Sequence, residues 1–354
     1  MPVNDTLRKS NSRLVLVTGG AGYIGCVLVN MLLERGYNVR VFDKLYFGDY
    51  GLESVKEKIE IIQGDMRNLD IHVLEDVFAV IDLGGLSNDP TANFNPVANY
   101  KINTVATEII VDACKRKGIT RFTFASSASL YDHGLNAPDY LQDEDSEINP
   151  IAPYSTANYE SERLLFHLID DSFHPCVLRQ GTVYGYSPRM RFDLVVNTFL
   201  KDALVKREIT VHNGGEMWRP LVDVSDTARA HIVCIEAPIE KVGGQIFNIV
   251  YRNYRILELA HYVKFCLKDR CDVTINVEYS DRPNRSYRID GEKILRVLGF
   301  KPTVSVQKSL ENMVSTVADR KDLLELLHPR HYNIAWMTLL HEAETIIQKT
   351  GPVF

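Results

Sequence analysis

The chain reads as an α/β protein in which a doubly wound parallel sheet is followed by a smaller C-terminal lobe. Three observations predict it. Short apolar strands alternate with amphipathic helical stretches through the first half of the 354 residues. The first strand, Leu14–Val17, runs into Thr18-Gly19-Gly20-Ala21-Gly22-Tyr23-Ile24-Gly25, then a helical pattern with Val27, Leu28, Met31 and Leu32 on one face. A second apolar strand, Asn38–Phe42, ends in an acid, Asp43.

Together these define a Rossmann-type dinucleotide site. Gly19 allows the tight turn, Gly22 lets backbone approach a pyrophosphate, and Gly25 lets the helix sit close on the strand. The phosphates would meet the open N–H groups of the new helix, with Tyr23 and Ile24 in its first turn. Three glycines alone would fit an ordinary turn. The flanking strand, the helix and the acid argue for the ligand. Asp43 is placed to bind the adenosine ribose hydroxyls, which favours NAD over NADP, with Lys44 beside it.

Bulk properties narrow the partners. Hydrophobic residues make up 45% and charged residues 24%, as in a globular enzyme, and the net charge is −6. No global basic field recruits nucleic acid or an anionic membrane, so an anionic ligand must be held by local arginines. The uncharged stretch Leu14–Leu33, preceded by Arg8, Lys9 and Arg13, imitates a signal sequence or membrane span. Thr18 and the glycines break it, so neither is expected. Six cysteines (26, 114, 176, 234, 266 and 271) are scattered without a CxxC pair, which fits reduced thiols in a cytoplasmic protein and no metal site.

The remaining elements follow in order. Met1–Ser12 is a polar arm. Ile59–Ile62 is a third strand, ending at Gly64-Asp65-Met66-Arg67, and Val77–Leu83 a fourth, ending at Gly84-Gly85-Leu86-Ser87. Pro96–Lys117 is one long amphipathic helix, and Arg121–Phe124 a fifth strand running into Ala125-Ser126-Ser127-Ala128-Ser129. Asp132–Pro150 is a loop over the sheet edge, Tyr154–Leu168 a helix and Cys176–Arg179 the sixth strand. Beyond Gly185, helices over Leu194–Lys206, Ser225–Glu236, Ile256–Leu267 and Gly291–Leu298 alternate with isolated short strands, Ile209–His212, Ile246–Val250 and Val273–Tyr279. The expected division is a dinucleotide-binding domain over 13–185, rejoined by segments near 222–250, and a lobe over 186–318. A helical tail over 319–354 has no packing partner evident in the sequence.

Three features coincide: Gly19-x-x-Gly22-x-x-Gly25, the serine-rich end of the fifth strand, and Pro153-Tyr154 opening the next helix. With Gly64-Asp65, Asn103, Leu178-Arg179, Thr182-Val183-Tyr184-Gly185, Trp218-Arg219-Pro220-Leu221-Val222-Asp223-Val224, Asp281-Arg282 and Leu298-Gly299-Phe300, the chain resembles the extended short-chain dehydrogenase/reductase family over about 13–302. The resemblance is to its NAD-dependent nucleotide-sugar epimerases and dehydratases. It implies that Tyr154 exchanges a proton with a sugar hydroxyl while hydride moves to or from the nicotinamide. Ser127, flanked by Ser126 and Ser129, would hydrogen-bond the same oxygen. It also implies cofactor contacts from Asp65, Met66, Leu83, Gly84, Gly85, Asn103 and Asn158. Ser87, Thr182, Arg191, Arg219 and Arg282 fall on the side of a nucleoside-diphosphate sugar, with Arg189 nearby. A homodimer is expected.

Two departures sharpen the reading. The family pattern is Tyr-x-x-x-Lys, and Asn158 stands where the lysine would be. An amide can bond a ribose hydroxyl but supplies no charge to lower the Tyr154 pKa. Slower hydride chemistry, a different cation reaching in, or a protein that binds NAD without catalysis are the three outcomes. Second, Ala128 and Ser129 fill positions where 4,6-dehydratases carry acidic residues, which disfavours elimination. The expected activity is an epimerase that oxidises a sugar hydroxyl and returns the hydride. The alternatives are a net dehydrogenase or ketoreductase and a noncatalytic NAD-binding protein.

Overall fold

The computed structural model describes residues 13–132, 140–279, 286–318 and 323–351. Six strands form the first part of a sheet in chain order: β1 (Leu14–Thr18), β2 (Asn38–Asp43), β3 (Glu60–Gln63), β4 (Val77–Asp82), β5 (Arg121–Ser127) and β6 (His174–Gln180). The second half adds β7 (Thr182–Tyr184), β8 (Glu208–Val211), β9 (Trp218–Asp223), β10 (Gln245–Ile249), β11 (Arg252–Arg255) and β12 (Thr274–Val277). The large sheet is seven-stranded, in the order β10-β6-β5-β4-β1-β2-β3, and every pairing in it is parallel. The order reverses between β1 and β4, and ligands of such sheets bind in the crevice at that switch point.

Burial explains why these runs became strands. Val15, Leu16 and Val17 of β1 and Ala79, Val80 and Ile81 of β4 are wholly buried, as expected of strands covered by helices on both faces. The helices Tyr23–Glu34 and Val224–Glu236 pack together on one face, and Ala106–Arg116 and Pro153–His167 on the other. The small sheets β11-β9-β7 and β12-β8 sit with the helices Val195–Lys206 and Ile256–Leu267 around a second core that includes Leu200, Ile209, Leu221 and Leu259.

Three expectations change. The strand expected at 246–250 is not isolated. As β10 it pairs with β6, Gln245 opposite Cys176 through Ile249 opposite Gln180, and extends the large sheet. A short stretch such as 246–250, apolar except for Asn248, looks the same in either sheet, and the crossover through Val224–Glu236 decides where it lands. The helix expected over 96–117 is broken by a π-helical turn at Lys101–Val105, between Pro96–Tyr100 and Ala106–Arg116. There the Asn103 carbonyl accepts from two hydroxyls, Thr107 Oγ1 at 2.7 Å and Ser161 Oγ at 2.9 Å, which support the widened turn.

The third change concerns the tail, which gains a location. After short 3₁₀ turns at Leu323–Leu327 and Pro329–His331, a helix runs over Asn333–Thr350. It crosses back to the first half of the chain. His341 meets the Phe94 ring edge-on at 5.7 Å, and the Trp336 indole donates to the Tyr46 carbonyl at 2.5 Å. The expected arm over 1–12 lies outside the described residues, as do residues 133–139 of the expected loop.

Candidate active site

A cleft of about 410 Å³ opens at the switch point. Its floor is the glycine turn. Gly19 has φ +63°, and a Cβ there would stand 2.8 Å from the Leu83 carbonyl oxygen. At Gly25 a Cβ would stand 2.5 Å from the Gly19 carbonyl oxygen, so any side chain would push helix and turn apart. The helix Tyr23–Glu34 begins at Gly22 with no side-chain cap and no acid in its first turn. Gly22, Tyr23, Ile24 and Gly25 line the cleft, so the first-turn N–H groups and positive helix end are available to an anion. This donor set suits the pyrophosphate of a dinucleotide.

Beside it, Asp43 accepts from the Ala21 N–H at 3.0 Å through one oxygen and from the Leu45 N–H at 2.7 Å through the other. Burial raises its pKa, while those bonds and Arg189 pull it down. Lys44 pairs with Asp65 at 3.3 Å. Arg67 grips the same carboxylate with Nε at 2.9 Å and Nη2 at 2.5 Å, which holds Asp65 far below the usual carboxylate range. Met66, Leu83, Gly84 and Gly85 complete this end. The Gly84 N–H is shared between Thr18 Oγ1 and Asp82 Oδ1, at 3.1 and 3.2 Å, and the Thr18 hydroxyl donates to Asp82 at 2.5 Å.

Asn103 borders the cleft, but its amide is used elsewhere. Its Oδ1 accepts from the Leu86 N–H at 2.7 Å, and its Nδ2 donates to the Leu86 carbonyl and Asn99 Oδ1, both at 3.0 Å. It lines the cleft and at the same time braces the loop Gly84–Ser87 through Leu86.

The reactive centre lies where β5 ends. Ser126 donates at 2.5 Å to Glu162, itself buried against Arg179 at 2.7 Å, so that hydroxyl is committed to the core. Ser127 and Tyr154 both line the cleft, and the serine hydroxyl lowers the Tyr154 pKa. Asn158 also lines the cleft and donates to the Tyr154 carbonyl at 2.9 Å. Burial raises the Tyr154 pKa and Asp89 adds to it; Ser127, Arg191 and Asn158 oppose them. The cation whose charge acts on the tyrosine is Arg191.

Arg191 is clamped by Asp193 at 2.8 Å and donates to Ser87 Oγ at 3.0 Å. Thr182 and Arg219 line the same cleft, Arg219 with its guanidinium 5.5 Å from the Tyr287 ring centroid. Arg282 lies outside the described residues. Sequence reasoning missed four lining residues of consequence: Arg67, Asp89, Asn333 and Met337. Arg67 follows Asp65-Met66 and was legible as a neighbour; nothing near Asn333 in the chain signals its place in the cleft. Among the described residues no group of three His, Cys, Asp or Glu could hold a metal ion, and no helix is long and apolar enough to cross a membrane.

A doubly wound sheet with an uncapped glycine turn, a ribose-side acid and a Ser–Tyr pair in one cleft defines a dinucleotide-dependent enzyme. Residues 15–250 match the model of the NAD dependent epimerase/dehydratase family, to which the chain belongs, and its cofactor is NAD. A putative UDP-glucose 4-epimerase of Methanocaldococcus jannaschii is 28% identical over 312 residues, covering 85% of this chain and 97% of that protein. UDP-glucuronic acid decarboxylase 4 of Arabidopsis thaliana is 29% identical over 315 residues, 86% of this chain and 69% of that one. The UDP-glucose 4-epimerase of Thermotoga maritima, solved with UDP-glucose, shares the fold at a TM-score of 0.76 and 24% identity, covering 85% of this chain and 97% of that one. MoeE5, solved with UDP-glucuronic acid and NAD, aligns at a TM-score of 0.70 and 25% identity, covering 84% and 96%.

Proposed function

We propose that the protein is a nucleotide-sugar epimerase that oxidises a sugar hydroxyl transiently and reduces the ketone on its other face. One observation carries this reading. Tyr154 and Ser127 share one cleft with the Gly19–Gly25 turn and with Arg191 and Arg219, and the residues after Ser127 are Ala128 and Ser129 rather than acids. NAD, when bound, supplies the hydride acceptor and donor. Tyr154 takes the proton from the sugar hydroxyl and returns it, and Ser127 holds the same oxygen while its charge changes. Arg191 lowers the cost of ionising Tyr154. Arg219 and Arg282 would clamp the diphosphate, with Ser87 and Thr182 toward the sugar. Asp43 would hold the adenosine ribose. The relatives named above point to a uridine diphosphate sugar and to C4.

The test is incubation of the NAD-loaded protein with UDP-glucose and with UDP-glucuronic acid. Formation of the C4 epimer with no net NADH supports the reading. Stoichiometric NADH or a released oxidised sugar would make it a dehydrogenase, and no turnover of either would leave the noncatalytic reading that Asn158 suggests. The Arabidopsis relative favours a second reading, decarboxylation of the glucuronyl substrate, which carbon dioxide release would reveal. We take the protein to act as a homodimer, which analytical ultracentrifugation tests.

A further inference from the structure

The helix Asn333–Thr350 lies beyond residues 15–250, the part that matches the family model, yet Asn333 and Met337, one turn apart, line the cleft. Asn333 is 6% exposed and joins two other segments at once. Its Nδ2 donates to Ser87 Oγ at 3.0 Å, its Oδ1 accepts from Arg189 Nη2 at 2.7 Å, and its backbone N–H donates to Asp193 Oδ2 at 3.2 Å. One turn on, Trp336 donates to the Tyr46 carbonyl. Tyr46 and Phe47 line the cleft just after Asp43 and Lys44, and the Arg189 guanidinium lies 3.9 Å from the Phe47 ring centroid. The helix thus ties together the loop after β2, the loop after β4 and the segment 187–193, whose Ser187 hydroxyl in turn donates to the Tyr23 carbonyl of the glycine-turn helix at 2.7 Å.

Arg189 shows what this arrangement orients. It is 2% exposed, forms no ion pair among the described residues, and its Nε has no hydrogen-bond partner. Burial and the neighbouring Arg191 push its pKa down to about 10. A buried guanidinium held by a neutral amide oxygen and an aromatic face, close enough to Asp43 to lower that acid's pKa, is costly unless an anionic ligand lies alongside.

We propose that the helix Asn333–Thr350 is a strap that keeps the dinucleotide in the cleft from one turnover to the next, with Asn333 as the positioning residue that holds Arg189 and Ser87 against it. This rests on the NAD-dependent epimerase reading above and deepens it. An epimerase closes its redox cycle in place and has no need to exchange cofactor. A net dehydrogenase must exchange it every turnover, and such a strap would limit its rate.

The test uses the full-length protein loaded with NAD and chased with excess etheno-NAD, with release followed by fluorescence. Asn333→Ala should release NAD about tenfold faster or more, as expected for the loss of a buried bond to a charged group. Trp336→Phe, which keeps an aromatic ring but loses the indole donor, should release it several-fold faster. Asn333→Asp, which keeps an acceptor for Arg189, should stay within about threefold of wild type, and Gln348→Ala, on the exposed far end, should match it. At saturating NAD, Asn333→Ala should raise KM for the sugar nucleotide more than it lowers kcat. If Asn333→Ala fails to fold, Trp336→Phe alone decides. Unchanged release in both variants overturns the strap, and an Asp variant as fast as the Ala variant shows that the position serves packing only. If wild type binds no NAD, the functional reading falls and takes the strap with it; NAD bound but released at one rate by all variants sinks the strap alone.

Discussion

The Asn158 side chain donates to the Tyr154 backbone carbonyl one turn earlier in the same helix, at 2.9 Å. A lysine in its place would present an ammonium to the cofactor ribose and the phenol; the amide bonds its own helix and supplies no charge. Tyr154, its pKa raised by burial and by Asp89, is left with Arg191 as the cation that counters them.

Turnover should therefore rise with pH above neutrality. The phenolate is the active base; a free tyrosine titrates near 10, and a pKa raised above that keeps the ionised fraction small near pH 7. Asn158→Lys should move the rise to lower pH by restoring a charge, and Tyr154→Phe should abolish turnover in either background. A pH–rate profile of the three variants checks this; full activity in Tyr154→Phe would sink the mechanism.

Asp43→Ala should weaken NAD binding by about tenfold or more, the scale of hydrogen bonds to a charged group. It should also narrow the preference for NAD over NADP, because the carboxylate that repels a 2′-phosphate is gone. Calorimetric titration with both cofactors measures the two effects. Tighter NADP than NAD binding in the wild type would contradict the assignment.

Arg219→Ala should weaken nucleotide-sugar binding by roughly 1.5–3 kcal/mol while leaving NAD affinity unchanged. Its guanidinium lines the cleft and lies over the Tyr287 ring. Equal binding of UDP-glucose by variant and wild type would move the diphosphate site elsewhere.

Asp82 gives a stability prediction. Burial raises its pKa from 3.8 to about 6. Between these values the folded state holds a proton that the unfolded chain has released. Its contribution is thus intact below about pH 4 and is lost as pH rises to 6. Asp82→Asn keeps an oxygen for Thr18 and Gly84 and has no charge to bury. The variant's stability should gain on wild type by about 2–3 kcal/mol between pH 4 and 6.5, measured by urea unfolding at each pH. A constant difference would show that Asp82 does not titrate there.

Much of this was legible locally. The turn Gly19–Gly25 and Asp43 are separated by a strand and a helix, and pattern alone placed both on one edge. Ser127 and Tyr154 needed a resemblance, because a serine-rich strand end and a tyrosine at a helix start have no individual signature. Ser126 shows why the exact serine was hard to choose: its hydroxyl is claimed by Glu162, 36 residues away. Asn333 was beyond reach because its role depends on Ser87 and Arg189, 246 and 144 positions distant. Pairings of that length are set by tertiary packing, which leaves no periodicity in the local sequence.

The π-helical turn at Lys101–Val105 has a consequence for comparison between chains. Such a turn is in effect one inserted residue, and each residue rotates a helix by about 100°. The stretches before and after it are therefore out of phase by that angle. The earlier one, with the turn itself, directs Asn103 to Leu86 and Asn99 to the Pro153 carbonyl; the later one directs Ile110, Val111 and Cys114 into the core. An alignment to a relative with an uninterrupted helix needs a one-residue gap here, or every equivalence on one side is wrong. Deleting one residue from the turn would act as a quarter-rotation of one half against the other, and the Asn103–Leu86 pairing would be lost with no polar side chain removed from it.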